Sequence, residues 1–163
     1  MYKHLLSILF IGIITSLFAS DIIIDKDNDL VPDDRDRCLN TPEGVCVDKY
    51  GCTKKIKRVV HFDESSYKLN LKEIDTLKSI VEIANECFGY SLLLSGHTDS
   101  TYTEDFNMNL SKKRVKSVKK LLKLYGVNSA RIKLKWYGET NPIATNVTKQ
   151  GRFKNRRVEI LFY

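Results

Sequence analysis

Apolar positions follow three rhythms along this chain, and each predicts a different kind of structure. After Lys3 and His4, the stretch "LLSILFIGIITSLFAS" is almost continuously apolar. It falls short of the ~20 residues that a membrane-spanning helix needs, and has the length and flank of a secretory signal. Residues 1–19 therefore read as a signal peptide, with cleavage expected after Ala19; Leu17 is larger than the small residue usual at that point, which leaves an uncleaved anchor as the alternative. No cysteine follows the run, so a lipid-modified signal is not expected. Between residues 20 and 53 apolar residues become scarce and no periodicity is sustained. From residue 56 onward, segments of strand character alternate with segments of helical spacing.

"IKRVVHF", Ile56 to Phe62, is rich in β-branched and aromatic residues and predicts a strand. Leu71, Ile74, Leu77, Ile80, Val81 and Ala84 then recur at helical spacing, and "YSLLLSG", Tyr90 to Gly96, predicts a short buried strand stopped by its glycine. A second helix is expected from about Leu110 to Tyr125, with Asn109 or Asn107 as its cap, Val115, Val118, Leu122 and Tyr125 as its buried stripe, and Gly126 as its end. "RIKLKWYG" alternates Ile132, Leu134 and Trp136 against bases, and "RRVEILFY" sets Val158 against Arg157 and Glu159; both predict strands. The order βαβαββ implies an α/β, or α+β, sandwich with helices on one face of a mixed sheet. The expected organisation is a signal at 1–19, a small loop-rich module at 20–53 and the main domain at 54–163.

Charge sharpens this division. The net charge of +7 conceals nine acids against four bases in residues 21–52 and 22 bases against 11 acids in residues 53–163. Such an asymmetry points to two different ligands. In the acidic part, Asp25, Asp27, Asp29, Asp33 and Asp36 are spaced so that their carboxylates can converge, and a hard cation such as calcium takes six to eight oxygens of that kind. The plainer reading is a solvated acidic linker, which Pro32 and the lack of apolar residues would suit. Cys38, Cys46, Cys52 and Cys87 are even in number in a chain with an export signal, so disulfides are expected; they lack the paired short spacing of structural zinc sites. Four cysteines allow three pairings, all open at this point.

The second candidate site is a separated acid and base. Asp99 lies just beyond the end of the second predicted strand, where loops of α/β domains gather to bind ligands, and Arg114 borders the apolar stripe of the second helix. An arginine there is partly desolvated and needs a partner. The two could form an internal salt bridge. Alternatively, a ligand carrying both charges could sit between them, its ammonium against Asp99 and its carboxylate in a two-pronged pair with Arg114.

"GHTD" at Gly96 to Asp99, "FN" at Phe106 and Asn107, "LSKKRV" at Leu110 to Val115, "YGETNP" at Tyr137 to Pro142 and "GRFKNRRVEI" at Gly151 to Ile160 resemble the successive signature blocks of the OmpA-like C-terminal domain. The resemblance covers roughly Ile56 to Tyr163 and implies non-covalent binding of peptidoglycan. It assigns Asp99 and Arg114 to the amino and carboxyl groups at the free end of diaminopimelate in the stem peptide, and places Thr98, Asn107 and Arg157 in the same pocket. Tyr102 departs from the glycine that many members carry. The acidic stretch together with "CLNTPEGVCVDKYGC" resembles a thrombospondin type 3 calcium repeat. This implies Ca2+ on the five aspartates and pairing of Cys38 with Cys52, leaving Cys46 and Cys87. Leu30 stands where that repeat usually has glycine, so it must accept a positive φ.

These resemblances imply a periplasmic protein associated with the cell wall and the outer membrane, with peptidoglycan and an outer-membrane or envelope protein as partners. A flagellar stator component or another envelope scaffold using the same domain is the alternative. The basic half would suit a nucleic acid, but the export signal argues against that partner. A cell-wall hydrolase needs a nucleophile with a base or a metal triad; His61 and His97 stand alone and read as structural, so no catalytic residues and no enzyme activity are expected.

Overall fold

The computed structural model of the protein describes residues 23–163, so the expected signal peptide lies outside the described residues. Among the described residues, four strands and three helices follow in the order β1 (Ile56–His61), α1 (Leu71–Glu86), β2 (Leu92–Gly96), α2 (Glu104–Leu124), β3 (Ile132–Trp136), α3 (Lys149–Asn155) and β4 (Arg157–Phe162), with a 3-10 turn at Ser129–Arg131 before β3. No helix among them is long and apolar enough to cross a membrane.

The sheet order is β1-β4-β2-β3. β4 is antiparallel to both its neighbours, whereas β2 and β3 run parallel across the α2 crossover. The last strand of the chain is therefore inserted between β1 and β2, a split βαβ arrangement. The mixed α/β fold expected from the alternating rhythms is the one observed. Val60, Leu92, Leu94, Val158, Ile160 and Phe162 pack with Leu77, Ile80, Val81 and Ala84 of α1 and Val115, Val118 and Leu122 of α2 in one core.

Two local expectations are revised. α2 begins six residues earlier than expected because Thr103, not an asparagine, is its cap: its hydroxyl accepts from the Phe106 amide, and Glu104 and Asp105 supply the acidic first turn that a helix N-terminus favours. Leu71 is 81% exposed although it fits the apolar stripe, because it opens α1 ahead of the first packed turn. Glu73 is buried instead, where its carboxylate accepts the His61 amide at 3.1 Å and ties the helix start to the end of β1. α3, only seven residues long and without an apolar stripe, has no periodicity that would predict it.

The acidic module packs against the end of α1. Cys38 bonds to Cys52 within the module, while Cys46 bonds to Cys87 at the α1 terminus. Gly89 donates its amide to the Gly44 carbonyl at 2.7 Å, and the Tyr90 hydroxyl reaches the Cys46 and Lys54 carbonyls. α1 has no basic residue in its last turn. Arg131, arriving from the 3-10 turn, instead donates to the carbonyls of Ala84, Cys87 and Tyr90 and satisfies the helix end.

Candidate functional site

The loops after β1 and β2 meet at one corner of the domain, and α2 supplies its floor. Gly96 permits that approach: a Cβ there would stand 2.5 Å from the Ser111 carbonyl oxygen of α2. Any side chain would push β2 away from the helix and carry His97, Thr98 and Asp99 with it. Below them, Arg114 is fully buried and spreads its guanidinium over three backbone carbonyls: Nε to Ser66 at 2.9 Å, one terminal nitrogen to His97 at 2.8 Å and the other to Asp63 at 3.0 Å. Three of its five N–H donors are thus committed to the loops. Burial pushes its pKa down to about 10, opposed by the charge of nearby Asp99, so it stays cationic at neutral pH.

Asp99 is also buried, at 3% exposure. The structure pairs it not with Arg114 but with Arg156, at 2.9 Å, and its other oxygen accepts only a long bond from the Thr101 amide. Arg156 additionally donates to the Phe62 carbonyl, so one side chain clamps the carboxylate to the end of β1. The family resemblance implies Arg157 for this pocket. Successive strand residues face opposite ways, and Arg157 turns to the other face of the sheet, where it bonds Glu159 at 2.8 Å beside Lys57. The signal was in the sequence: in "RRVEI" the first arginine shares its parity with the core residues Val158 and Ile160, and the second does not.

Thr98 and Asn107 do reach the corner, yet both are sealed inside it, at 2% and 0% exposure. Asn107 donates to the Tyr102 carbonyl and to Glu139, joining the loops after β2 and β3. Thr98 Oγ1 and Asn107 Oδ1 are buried there without a protein partner, whereas the His97 ring lies on the Arg157 side, in a second cleft with Tyr137, Arg157 and Glu159. Buried polar atoms are nearly always hydrogen-bonded, so the Thr98 and Asn107 oxygens call for a partner such as water or a ligand. An open cleft of about 300 Å³ lies alongside, lined by Glu64, Ser100, Thr101, Asn146 and Arg152. His97 stacks on Tyr137 with ring centroids 5.2 Å apart, and burial, with Arg157 nearby, holds its pKa down at about 4, so it is neutral at physiological pH.

The OmpA family pattern matches residues 61–156, more than half of the chain. The chain belongs to the OmpA family. It is 37% identical over 147 residues to outer membrane porin F of Pseudomonas aeruginosa, covering 86% of this chain and 42% of that protein. Among solved structures, the peptidoglycan-associated lipoprotein of Burkholderia pseudomallei superposes with a TM-score of 0.62 at 26% identity, over 65% of this chain and 90% of that one. The C-terminal domain of Helicobacter pylori MotB superposes with a TM-score of 0.61 at 31% identity, over 65% and 84% respectively. The chain spans half or less of the length of the curated relatives it matches. Within the OmpA family region lie the buried corner around Asp99, Arg114 and Arg156 and the cleft beside it.

The acidic module builds a second constellation. Asp25, Asp27, Asp29 and Asp36 each use one carboxylate oxygen to accept a backbone amide, from Leu30, Thr41, Val31 and Cys38 respectively, at 2.7–3.0 Å. The second oxygen of each is buried with no partner. Asp25, Asp27 and Asp29 bring oxygens within 4.8 Å of one another. Gly51 closes the group at φ +74°, where a Cβ would collide with the Asp36 carboxylate. Burial, reinforced by the charges of Asp27, Asp36 and Asp25, raises the Asp29 pKa despite its bond from Val31. Asp33, expected in this set, stands outside it: Lys26 pairs with one of its oxygens at 3.0 Å and donates its amide to the other. Leu30 takes φ +72°, the left-handed conformation that favours glycine.

Proposed function

We propose that the domain binds peptidoglycan non-covalently through the free end of a diaminopimelate-type residue in the stem peptide, and so links the cell wall to the outer membrane or to an envelope assembly. The observation that carries this reading is the buried corner itself: a carboxylate and two guanidiniums beside side-chain oxygens that have no protein partner. Asp99 has a weakly used oxygen to accept from an ammonium, and Arg114 keeps two uncommitted N–H donors for a carboxylate. Arg156 holds Asp99 in place and acts through it. Without a nucleophile and base, this arrangement binds its ligand and does not turn it over. The protein's place is then the periplasm, against the wall. The likeness to the MotB domain favours the related reading of a scaffold in an envelope complex, which would use the same site.

The test is retention on purified insoluble sacculi with free diaminopimelate as competitor. Asp99→Asn should keep the Arg156 hydrogen bond and remove the charge. The expected result is at least a tenfold loss of retention, since a charge-assisted contact contributes ~1.5–3 kcal/mol net. Undiminished retention of Asp99→Asn would place the binding elsewhere.

The acidic module we assign to calcium, held by Asp25, Asp27, Asp29 and Asp36 with the remaining oxygens from backbone or water. Three carboxylates whose oxygens converge, with a fourth, Asp36, close enough to repel Asp29, suit a hard dication. Calcium would supply charge neutralisation and a fixed loop geometry here. At a hundredfold excess over its dissociation constant it should stabilise the module by ~2.7 kcal/mol, read as a rise in Tm that Asp27→Asn with Asp29→Asn abolishes. Equal calcium shifts in wild type and variant would remove the assignment.

A further inference from the structure

The seven bases of α2 divide sharply. Arg114 is buried, while Lys112, Lys113, Lys116, Lys119, Lys120 and Lys123 lie on the side away from the core. At 3.6 residues per turn, Lys112, Lys116, Lys119 and Lys123 fall within about 60° of the helix circumference, with Lys113 and Lys120 flanking them. From Phe106 to Gly138 there is no aspartate or glutamate. Among the described residues none of these six lysines has an ion-pair partner. The pairs 112/116, 116/120 and 119/123 place like charges four residues apart, which destabilises a helix. Solvation alone would be served as well by mixed charges, which would not repel one another.

The kind of base narrows the partner. Every exposed base on α2 is a lysine. Arginine is the residue suited to fixed, two-pronged recognition of a particular carboxylate or phosphate; lysine is a flexible, hydrated point charge. Lys116, Lys119, Lys120 and Lys123 surround a shallow cleft of about 290 Å³ whose lining is their aliphatic stems. Leu124, 74% exposed, follows at one end of the row. Near the other end Trp136 is partly exposed, with the Lys112 ammonium 5.0 Å from its ring centroid. Lysine stems with a tryptophan and a leucine at the borders match the chemistry of a lipid headgroup layer, where charge is diffuse and amphipathic side chains sit at the boundary.

We propose that the exposed face of α2, with Trp136 and Leu124 at its ends, docks on the surface of an anionic phospholipid bilayer. The contact is electrostatic and peripheral: the lysines meet headgroup phosphates, and their salt sensitivity follows from screening. It is separate from the Asp99 corner, which lies among the loops after β1 and β2.

The experiment is co-sedimentation of the full chain with vesicles of phosphatidylcholine alone or with about one third phosphatidylglycerol, for wild type and for Lys116→Glu/Lys120→Glu/Lys123→Glu. The apolar stretch at the N-terminus contributes equally to both proteins, so the difference isolates the helix face. The anionic increment should fall about tenfold or more in the variant and collapse for wild type at high salt. Tm should hold or rise as like-charge repulsion is relieved, and retention on sacculi should be unchanged. Equal anionic increments in the two proteins would overturn the proposal. So would a variant that keeps its vesicle binding and loses sacculus retention, since the lysines would then serve the wall polymer. Loss of sacculus retention in Asp99→Asn with vesicle binding intact separates the two sites.

Discussion

The two parts of the molecule solve the same problem, holding charged groups out of water, in opposite ways. In the OmpA domain the buried charges are answered by the protein: Arg114 takes three backbone carbonyls, Asp99 takes Arg156, and the half-buried Arg131 likewise takes three carbonyls. These groups sit around a continuous apolar core that supplies the main driving force for folding. The acidic module adds almost nothing to that core beyond Val45 and Cys46. Asp25, Asp27, Asp29 and Asp36 each leave one oxygen unanswered, and the module's order rests on two disulfides and on turns. A region with its own core can afford a preformed ligand site; a region without one needs an external ion or a covalent staple to be ordered at all.

The largest break in this contrast is expected at Arg114. Arg114→Ala leaves three carbonyls without a buried donor and empties a large volume, so it should cost ~3 kcal/mol or more of stability in addition to abolishing sacculus binding. Urea unfolding would show it. A variant as stable as wild type would mean that the loops relax without the arginine, and that the residue serves the ligand alone.

The next effect is a pH dependence confined to the domain. His97 has a folded pKa of about 4, below its unfolded value near 6.5. Between those values the unfolded chain binds more protons, so stability is full above about 6.5, falls as the pH drops toward 4 and levels off below it. The loss should reach up to ~3 kcal/mol at the low end. His97→Phe should flatten the slope over that window; an unchanged slope would assign it to other groups.

The smallest effect lies in the module. Leu30 holds φ +72° with its side chain 90% exposed, so it bears the backbone cost and gains little packing. Leu30→Gly should relieve ~0.5–1 kcal/mol after the entropic penalty of glycine, visible as a slightly higher Tm in calcium. A loss instead would show that the leucine side chain has a contact of its own to make.

Much of this organisation was legible in residues alone. The strands at Ile56–His61 and Leu92–Gly96 and the stripe Leu77, Ile80, Val81 and Ala84 follow from periodicity, because burial on one face forces a period of 2 or 3.6. Asp99 and Arg114 could be singled out as a separated acid and base because the loop after β2 and the border of α2 are local features, whereas Thr98 came only with the family resemblance. The Cys38–Cys52 bond matched what the calcium-repeat resemblance implied. Less was legible where partners come from far along the chain. Asp99 and Arg156 are 57 residues apart, and only the insertion of β4 between β1 and β2 brings them together. Asp33 looked the equal of Asp29 in spacing, and its exclusion depends on where the Lys26 ammonium falls.

What the sequence determined by itself was the four strands and two long helices, the family, and the two charged constellations, since these rest on local spacing and on short blocks of residues. The tertiary structure decided which charge answers which: Arg156 and not Arg157 beside Asp99, three carbonyls and not a carboxylate on Arg114, Asp25, Asp27 and Asp29 drawn together while Asp33 pairs with Lys26. The physical reason is the short reach of hydrogen bonds and ion pairs. They act over about 3 Å, and at that scale the choice between neighbouring residues is made by strand parity, sheet order and the close approach that a single glycine allows.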